Sequence, residues 1–294
     1  MAKNEVLVTS IEGNGQSLDG GSMFGNAPRA LWERWYTPDS LGRVKLSCRA
    51  MLVELNGARI LCETGIGNYM DDKMSERFGV EGGGHRLLKS LHEKGLSPKD
   101  IDYVVLSHLH FDHAGGLLPS YEDIKNGNEE LLFENAKYVV GKEAFERSLN
   151  PHFRDRASFI DGLSKKLEAS GRLIVLDEGE SIPGFEGVIE FFISEGHTPG
   201  QMLTIVHGQS ASMMFCGDLV PGTPWVNLPI TMGYDRFPEQ LINEKQEIYK
   251  RVLSENWFLF YTHDPVVSSS RIQLNERNKY EAIEAIEILE KFSI

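Results

Sequence analysis

No stretch of this sequence approaches the ~20 consecutive apolar residues that span a bilayer, which excludes a membrane-spanning helix. Cysteine is scarce: Cys48, Cys62 and Cys216 are odd in number and widely spaced over 294 residues. That pattern excludes a disulfide framework and fits a reducing compartment. Basic charge is also short, with 30 Lys and Arg against 43 Asp and Glu and a net charge of −13. With no dense Lys/Arg run, the balance argues against a nucleic-acid-binding surface. The opening residues, Met1 to Val8, carry no signal-type apolar region, so a cytoplasmic protein is expected. No linker or low-complexity tract interrupts the chain, and one domain over residues 1–294 is the economical reading. There is no Gly-x-Ser-x-Gly elbow, which removes the usual α/β-hydrolase serine nucleophile.

What the sequence concentrates is histidine. Ser107-His108-Leu109-His110-Phe111-Asp112-His113-Ala114-Gly115-Gly116 places three imidazoles and a carboxylate within six residues. They follow the apolar run Tyr103 to Leu106, which reads as a short buried strand. The motif therefore lies where a strand ends and its loop begins. His108 and His110 are two apart, so in extended backbone they point the same way. Gly115-Gly116 permits a tight bend or close backbone packing.

Strands are expected over 6–11, 44–55, 59–62, 103–106, 136–140, 172–176, 188–193, 202–207, 211–216 and 257–261. Asn56-Gly57 marks a hairpin turn. Helices are expected over 85–94, 141–149 and 157–170, from near Pro238, and over 278–292. Gly13 to Gly25 and residues 121–134 read as loops, Trp32 and Trp35 as core, and His85, His92 and His152 as solvated. Four strand ends terminate in ligand-type residues: the His108/His110/Asp112/His113 set, His197, Asp218 and His263. Five of the nine histidines fall in this group. Imidazole with carboxylate suits a pair of divalent ions of the zinc, iron or manganese kind, whereas magnesium or calcium calls for mostly oxygen ligands. Spacing alone does not apportion the ligands.

In order and spacing this set resembles the metallo-β-lactamase superfamily, and the resemblance spans nearly the whole chain. It implies an α/β fold, a four-layer αββα sandwich of two mixed sheets with helices outside and metals at one edge. By the same resemblance, His108, His110 and His197 hold one ion, Asp112, His113 and His263 the second, and Asp218 bridges them. Asp at 218 is similar to the lactonase and glyoxalase II branches, where β-lactamases proper often carry Cys. Two positions depart from relatives. Glu63 stands where Asp is usual before Thr-Gly, and Pro221 where quorum-quenching lactonases usually carry Tyr.

Two such ions, ~3.5–4 Å apart, lower the pKa of a shared water to about 7 or below. The expected activity is hydrolysis of an ester, lactone or thioester by that bridging hydroxide. Asp112 would orient it and carry a proton to the leaving group, and Asp218 would act with it. Met23, Phe24, Trp225 and Tyr234 are expected to wall a pocket for a partly apolar small molecule. Glu195 and Asp264, close in sequence to His197 and His263, are candidate partners for imidazole N–H groups. The partner class is a small-molecule substrate, with no nucleic acid and no membrane, and a homodimer is compatible with the sequence. Two other chemistries stay open: a mono-iron persulfide dioxygenase-like oxidoreductase, and a small-molecule phosphodiesterase or phosphotriesterase.

Overall fold

Side-chain alternation along the strands sets the layers of this protein, a computed structural model that describes residues 5–294. Residues 1–4, where the segment read as lacking a signal-type stretch begins, lie outside the described residues. The first half of the chain forms β1 (Val6–Ile11), β2 (Gln16–Asp19), β3 (Arg43–Leu46), β4 (Ala50–Leu55), β5 (Ala58–Cys62), β6 (Tyr103–Leu106) and β7 (Lys137–Gly141). The second half adds β8 (Leu173–Leu176), β9 (Ile189–Ser194), β10 (Gln201–His207), β11 (Ser212–Phe215), β12 (Phe258–Phe260), β13 (Ser269–Leu274), β14 (Tyr280–Ile286) and β15 (Phe292–Ser293). One mixed sheet of seven strands runs β15-β1-β4-β5-β6-β7-β8, and a second of six runs β14-β13-β12-β11-β10-β9.

Alternate residues of each strand point to opposite faces. Met51, Val53, Ile60, Val105 and Val139 of the first sheet meet Met202, Val206, Met213, Phe215 and Phe260 of the second in the interior between them. Their neighbours Leu52, Leu61, Val104 and Val140 turn the other way. There they pack under the helices Arg86–Glu93, Lys142–Leu149 and Leu163–Ala169 through Leu87, Leu91, Ala144 and Leu167. Leu203, Ile205, Met214 and Leu259 turn outward beneath the long helix Pro238–Glu255, against Leu241, Ile248, Tyr249 and Val252. Each large apolar side chain so buried contributes roughly 1.5–3 kcal/mol. The four layers are the αββα sandwich expected from the sequence. No described helix is long and apolar enough to cross a membrane.

Several local expectations are corrected. The helix expected over 278–292 is absent; β14 and β15 occupy most of that span. Its Ala- and Glu-rich composition favours helix, but antiparallel pairing of β14 with β13 and the turn at Asn278, with φ of 54°, override local propensity. The Gly13 to Gly25 stretch is not all loop: β2 pairs with β3, and Asp19 caps a short helix over Gly20–Phe24. The 44–55 strand is broken after Leu46 because the Ser47 and Arg49 amides donate to His263 and Thr262 carbonyls of the other sheet. A short helix, Tyr121–Lys125, capped by Ser120, interrupts the expected 121–134 loop. His85 is not solvated. It is half-buried beside the Gly116 carbonyl, 3.2 Å from Nε2, and burial pushes its pKa down to about 4.

Two features of this packing are open to direct measurement. Gly116 passes so close to Thr64 that a Cβ there would run into the Thr64 carbonyl oxygen. Gly116→Ala should cost 1–3 kcal/mol or more of stability, roughly the range for overpacking, read as a lower urea midpoint at unchanged slope. On the long helix, Lys245 is fully buried and its ammonium donates to the Trp225 and Ile230 carbonyls. Burial pulls its pKa down to about 7 from 10.5. Between those values the unfolded chain binds the proton and the folded one does not, so this residue's contribution rises with pH. Relative to Lys245→Met, wild type should gain about 2 kcal/mol between pH 7 and pH 9; an unchanged difference would mean a permanently charged lysine.

Candidate metal centre

Strand direction brings distant residues to one rim. β11 and β12 are parallel, while β9 and β11 are each antiparallel to β10, so β9, β11 and β12 all end at the same edge of their sheet. His197, Asp218 and His263 follow those three ends, and the His108 motif follows β6 in the facing sheet. Three backbone hydrogen bonds join the sheets there: Met202 N–H to Ser107 O at 2.8 Å, Ser47 N–H to His263 O at 3.2 Å and Arg49 N–H to Thr262 O at 2.9 Å. The buried Arg49 guanidinium also donates to the Tyr261, Asp264 and Val267 carbonyls, fixing the turn that carries His263.

All seven predicted ligand-type residues are brought together, and all are buried. His108 Nε2 lies 3.0 Å from His110 Nδ1, which lies 3.3 Å from His197 Nε2. On the other side, the Nε2 atoms of His113 and His263 are 3.3 Å apart, with Asp112 oxygens 3.8 and 3.6 Å from them. Asp218 lies between the groups. Its Oδ2 is 3.1 Å from His197, and its Oδ1 is 3.4 Å from His113 and 3.1 Å from His263. Among the described residues three sets of donors lie close enough to hold an ion: His108, His110, His197 and Asp218; Asp112, His113 and His263; and Glu63, His108 and His113, which overlaps the other two.

Charge explains why such a cluster calls for cations. Burial and the surrounding imidazoles hold His108 and His110 well below the ordinary histidine pKa. Burial works against protonation of His113 and His263 too, yet the Asp218 carboxylate outweighs it and raises both well above the usual value. Burial likewise opposes ionisation of Asp218, and His113, His197 and His263 overcome it, holding its carboxyl well below the carboxylate range. Asp218 Oδ1 and His110 Nε2 remain buried without a hydrogen-bond partner. Ring nitrogens facing one another at such distances, around a carboxylate with an orphaned oxygen, match the donor set of a dinuclear divalent centre.

The outward ring nitrogens of His108, His197 and His263 have their own partners. His108 Nδ1 meets Ser107 Oγ at 2.8 Å, and His263 Nδ1 donates to Ser47 O at 2.7 Å. His197 Nδ1 meets Asp235 Oδ1 at 2.9 Å. Glu63, at the position where relatives usually have Asp, faces His113 Nδ1 at 3.4 Å while accepting the Ser107 amide. Its backbone is left-handed, φ 68°, a strained state for a residue with a Cβ. Gln16 Nε2 donates to Asp112 Oδ2 at 2.6 Å. Gln16, Ser47, Glu63 and Asp235 were not expected as ligand partners; only Glu63, before a Thr-Gly pair, carried a local signal.

Glu195 and Asp264 take other roles than the imidazole partnership expected of them. Glu195 accepts the Gly200 amide, and Asp264 accepts from Thr223, Val266 and Val267, closing its own turn. The expected pocket wall is corrected as well. Met23, Phe24 and Trp225 are at most 2% exposed and belong to the core beneath the long helix. Trp225 stacks on Phe24 at 4.5 Å and its indole N–H donates to Met23 O. Tyr234 alone of the four stays at the surface, 42% exposed. The apolar cluster beside the motif is a different one, made of buried and half-buried side chains. Phe111 packs on Phe78 at 4.5 Å, with Ile66, Tyr69, Met70 and Ile160 around them, and Phe159 sits edge-on to His110 at 4.9 Å.

Residues 43–263 match the family model of the metallo-beta-lactamase superfamily. An N-acyl homoserine lactonase of Bacillus thuringiensis is 25% identical over 242 residues, 78% of this chain and 84% of that protein. A crystal structure of a probable metal-dependent hydrolase from Staphylococcus aureus superposes with a TM-score of 0.82 at 27% identity, over 97% of this chain and 100% of that one. AidC, a dizinc quorum-quenching lactonase in complex with a product, shares the fold at a TM-score of 0.73 and 20% identity, covering 96% and 95% of the two chains. The rim geometry generates one test. His110→Ala and Asp218→Ala should each lose metal by elemental analysis while the circular dichroism spectrum is kept; full occupancy in both variants would place the ions elsewhere.

Proposed function

The chain belongs to the metallo-β-lactamase superfamily, and from that premise we propose a metal-dependent hydrolase with two divalent ions, most simply zinc, with iron or manganese as alternatives. Its substrate is an ester, lactone or thioester of a partly apolar small molecule. The observation that carries this reading is the division of the Asp218 carboxylate, one oxygen toward His197 and the other toward His113 and His263. His108, His110 and His197 would hold one ion, Asp112, His113 and His263 the other, and Asp218 both. Ligands drawn from both sheets support one functional domain over the whole chain.

Such ions, when bound, supply Lewis acidity that acidifies a water and polarises the acyl oxygen. The protein supplies the rest. Asp112, held by the Gln16 amide, orients the incoming water and carries its proton toward the leaving group. Asp218 keeps the two halves of the centre in register. Phe111, Phe78 and Ile160 offer an apolar, water-excluding wall for the non-reacting part of the substrate. The lactonase relatives favour a lactone within the class. The net charge of −13 supports a small substrate over a nucleic acid, and three buried free thiols fit a reducing compartment.

The test is a hydrolysis screen of purified, metal-counted protein across acyl-homoserine lactones, aryl esters, thioesters, β-lactams, phosphotriesters and bis-phosphodiesters. Turnover of a carboxylic ester, lactone or thioester with about two zinc-like ions per chain is expected on two-metal grounds. One iron per chain with persulfide oxidation, or turnover confined to phosphoesters, would overturn the assignment.

A further inference from the structure

Beyond the ligands, one buried carboxylate joins the backbone to a ligand imidazole. Asp235 lies in the segment leading into the long helix and is 2% exposed. Its Oδ1 faces His197 Nδ1 at 2.9 Å and its Oδ2 accepts the Met232 amide at 2.7 Å. The His197 ring continues inward, with Nε2 3.1 Å from Asp218 and 3.3 Å from His110 Nδ1.

The backbone around His197 is held by other groups. Glu244 of the long helix accepts from Ser194 Oγ and from the Glu195 and Gly196 amides, at 2.7, 2.9 and 3.2 Å. The Arg236 and Phe237 amides donate to the His197 and Gly196 carbonyls. Gly196 lies so close to the long helix that a Cβ would run into Leu241. With the main chain fixed in this way, what Asp235 adds is the state of the ring.

We propose that Asp235 is a positioning residue that keeps the His197 proton on Nδ1, leaving the Nε2 lone pair for the ion held with His108, His110 and Asp218. The proposal rests on the dinuclear reading given above. An ionised carboxylate is acceptor-only, so a neutral imidazole facing it must present N–H at Nδ1, and Nε2 is then the unprotonated, ligating nitrogen. The second oxygen is occupied by Met232 N–H, so the carboxylate cannot turn away without losing a buried bond.

This makes the amide the more damaging replacement. Asn at 235 has one acceptor and one donor group where two donors face it. If its oxygen stays with Met232 N–H, its NH2 meets His197 Nδ1 and drives the proton to Nε2, closing the ligating position. Alanine removes both contacts and leaves the ring free to choose. A purely structural role gives the opposite order, because Asn keeps shape and one hydrogen bond while Ala keeps neither.

The experiment titrates metal-free wild type, Asp235→Asn and Asp235→Ala with Zn2+ against a chromophoric chelator. It adds the visible spectrum of the Co2+-loaded forms and thermal melts of the metal-free proteins. For Asp235→Asn the affinity of one ion should fall about 10–100-fold, the usual effect of losing an outer partner of a ligand. The other ion should stay as in wild type, the cobalt band should change, and Asp235→Ala should lose no more than Asp235→Asn. Equal affinities in wild type and Asp235→Asn, or a loss in Asp235→Ala alone, would overturn the proposal. Should Asp235→Ala not fold, the Asn variant still decides it. A wild type that binds two ions but hydrolyses nothing would sink the hydrolase reading and leave the Asp235 test intact; one that binds fewer than two would sink both.

Discussion

A carboxylate aimed into a buried ring of imidazoles is the constraint on which the rest of this molecule turns. Asp218 reaches three imidazole rings from three different loops within 3.4 Å, with almost no water to screen it. Removing such groups from water costs several kcal/mol per charge, so the arrangement persists only with cations among the donors. Protons can serve, and the raised pKa values of His113 and His263 reflect that demand. Divalent ions meet it better because each engages several lone pairs at once, releasing the protons they replace. The metal centre and the stability of the sandwich rim are therefore one problem.

The fold answers that problem with direction and with cross-ties. Parallel pairing of β5, β6 and β7 in one sheet, and of β11 with β12 in the other, sends strand ends toward the rim. The backbone bonds from Met202, Ser47 and Arg49 then lock the two sheets at the height of the ligands. Arg49 and Glu244 extend this by binding loop carbonyls and amides directly, so the loops carrying His263 and His197 have little freedom left. Preorganised ligands of this kind need little rearrangement to accept an ion.

Much of this was legible in the sequence, for a physical reason. Metal ligands must be particular residue types at strand ends, so five imidazoles and two carboxylates stood out without coordinates. Buried strands such as Tyr103–Leu106 and Phe258–Phe260 were equally plain as apolar runs. What escaped was set by partners remote in the chain. Asp235 is recognisable only once His197 is beside it, and Gln16 only once Asp112 is. The 278–292 segment has the composition of a helix and becomes strand because β13 offers it an edge. Met23, Phe24 and Trp225 have the chemistry of a pocket wall, yet their mutual stacking beneath the long helix hides them in the core.

With Met23, Phe24 and Trp225 in the core, the two sides of the histidine cluster differ in how they are packed. On the His197 side, the long helix and its lead-in clamp the ligand loop so closely that even a methyl group at Gly196 is excluded. On the Phe111 side, the apolar cluster joins buried Ile66 and Phe111 to half-buried Tyr69, Met70, Phe78, Val80, Phe159 and Ile160. Among these, Phe78, Val80 and Ile160 carry no metal ligand and bond to no imidazole. Their size and shape can change without moving a donor atom, whereas a change near Glu244 or Asp235 reaches His197 through one hydrogen bond. On the proposed function, the His197 side would hold its ligand in a tightly bonded frame, while the Phe111 side would meet the non-reacting part of the substrate.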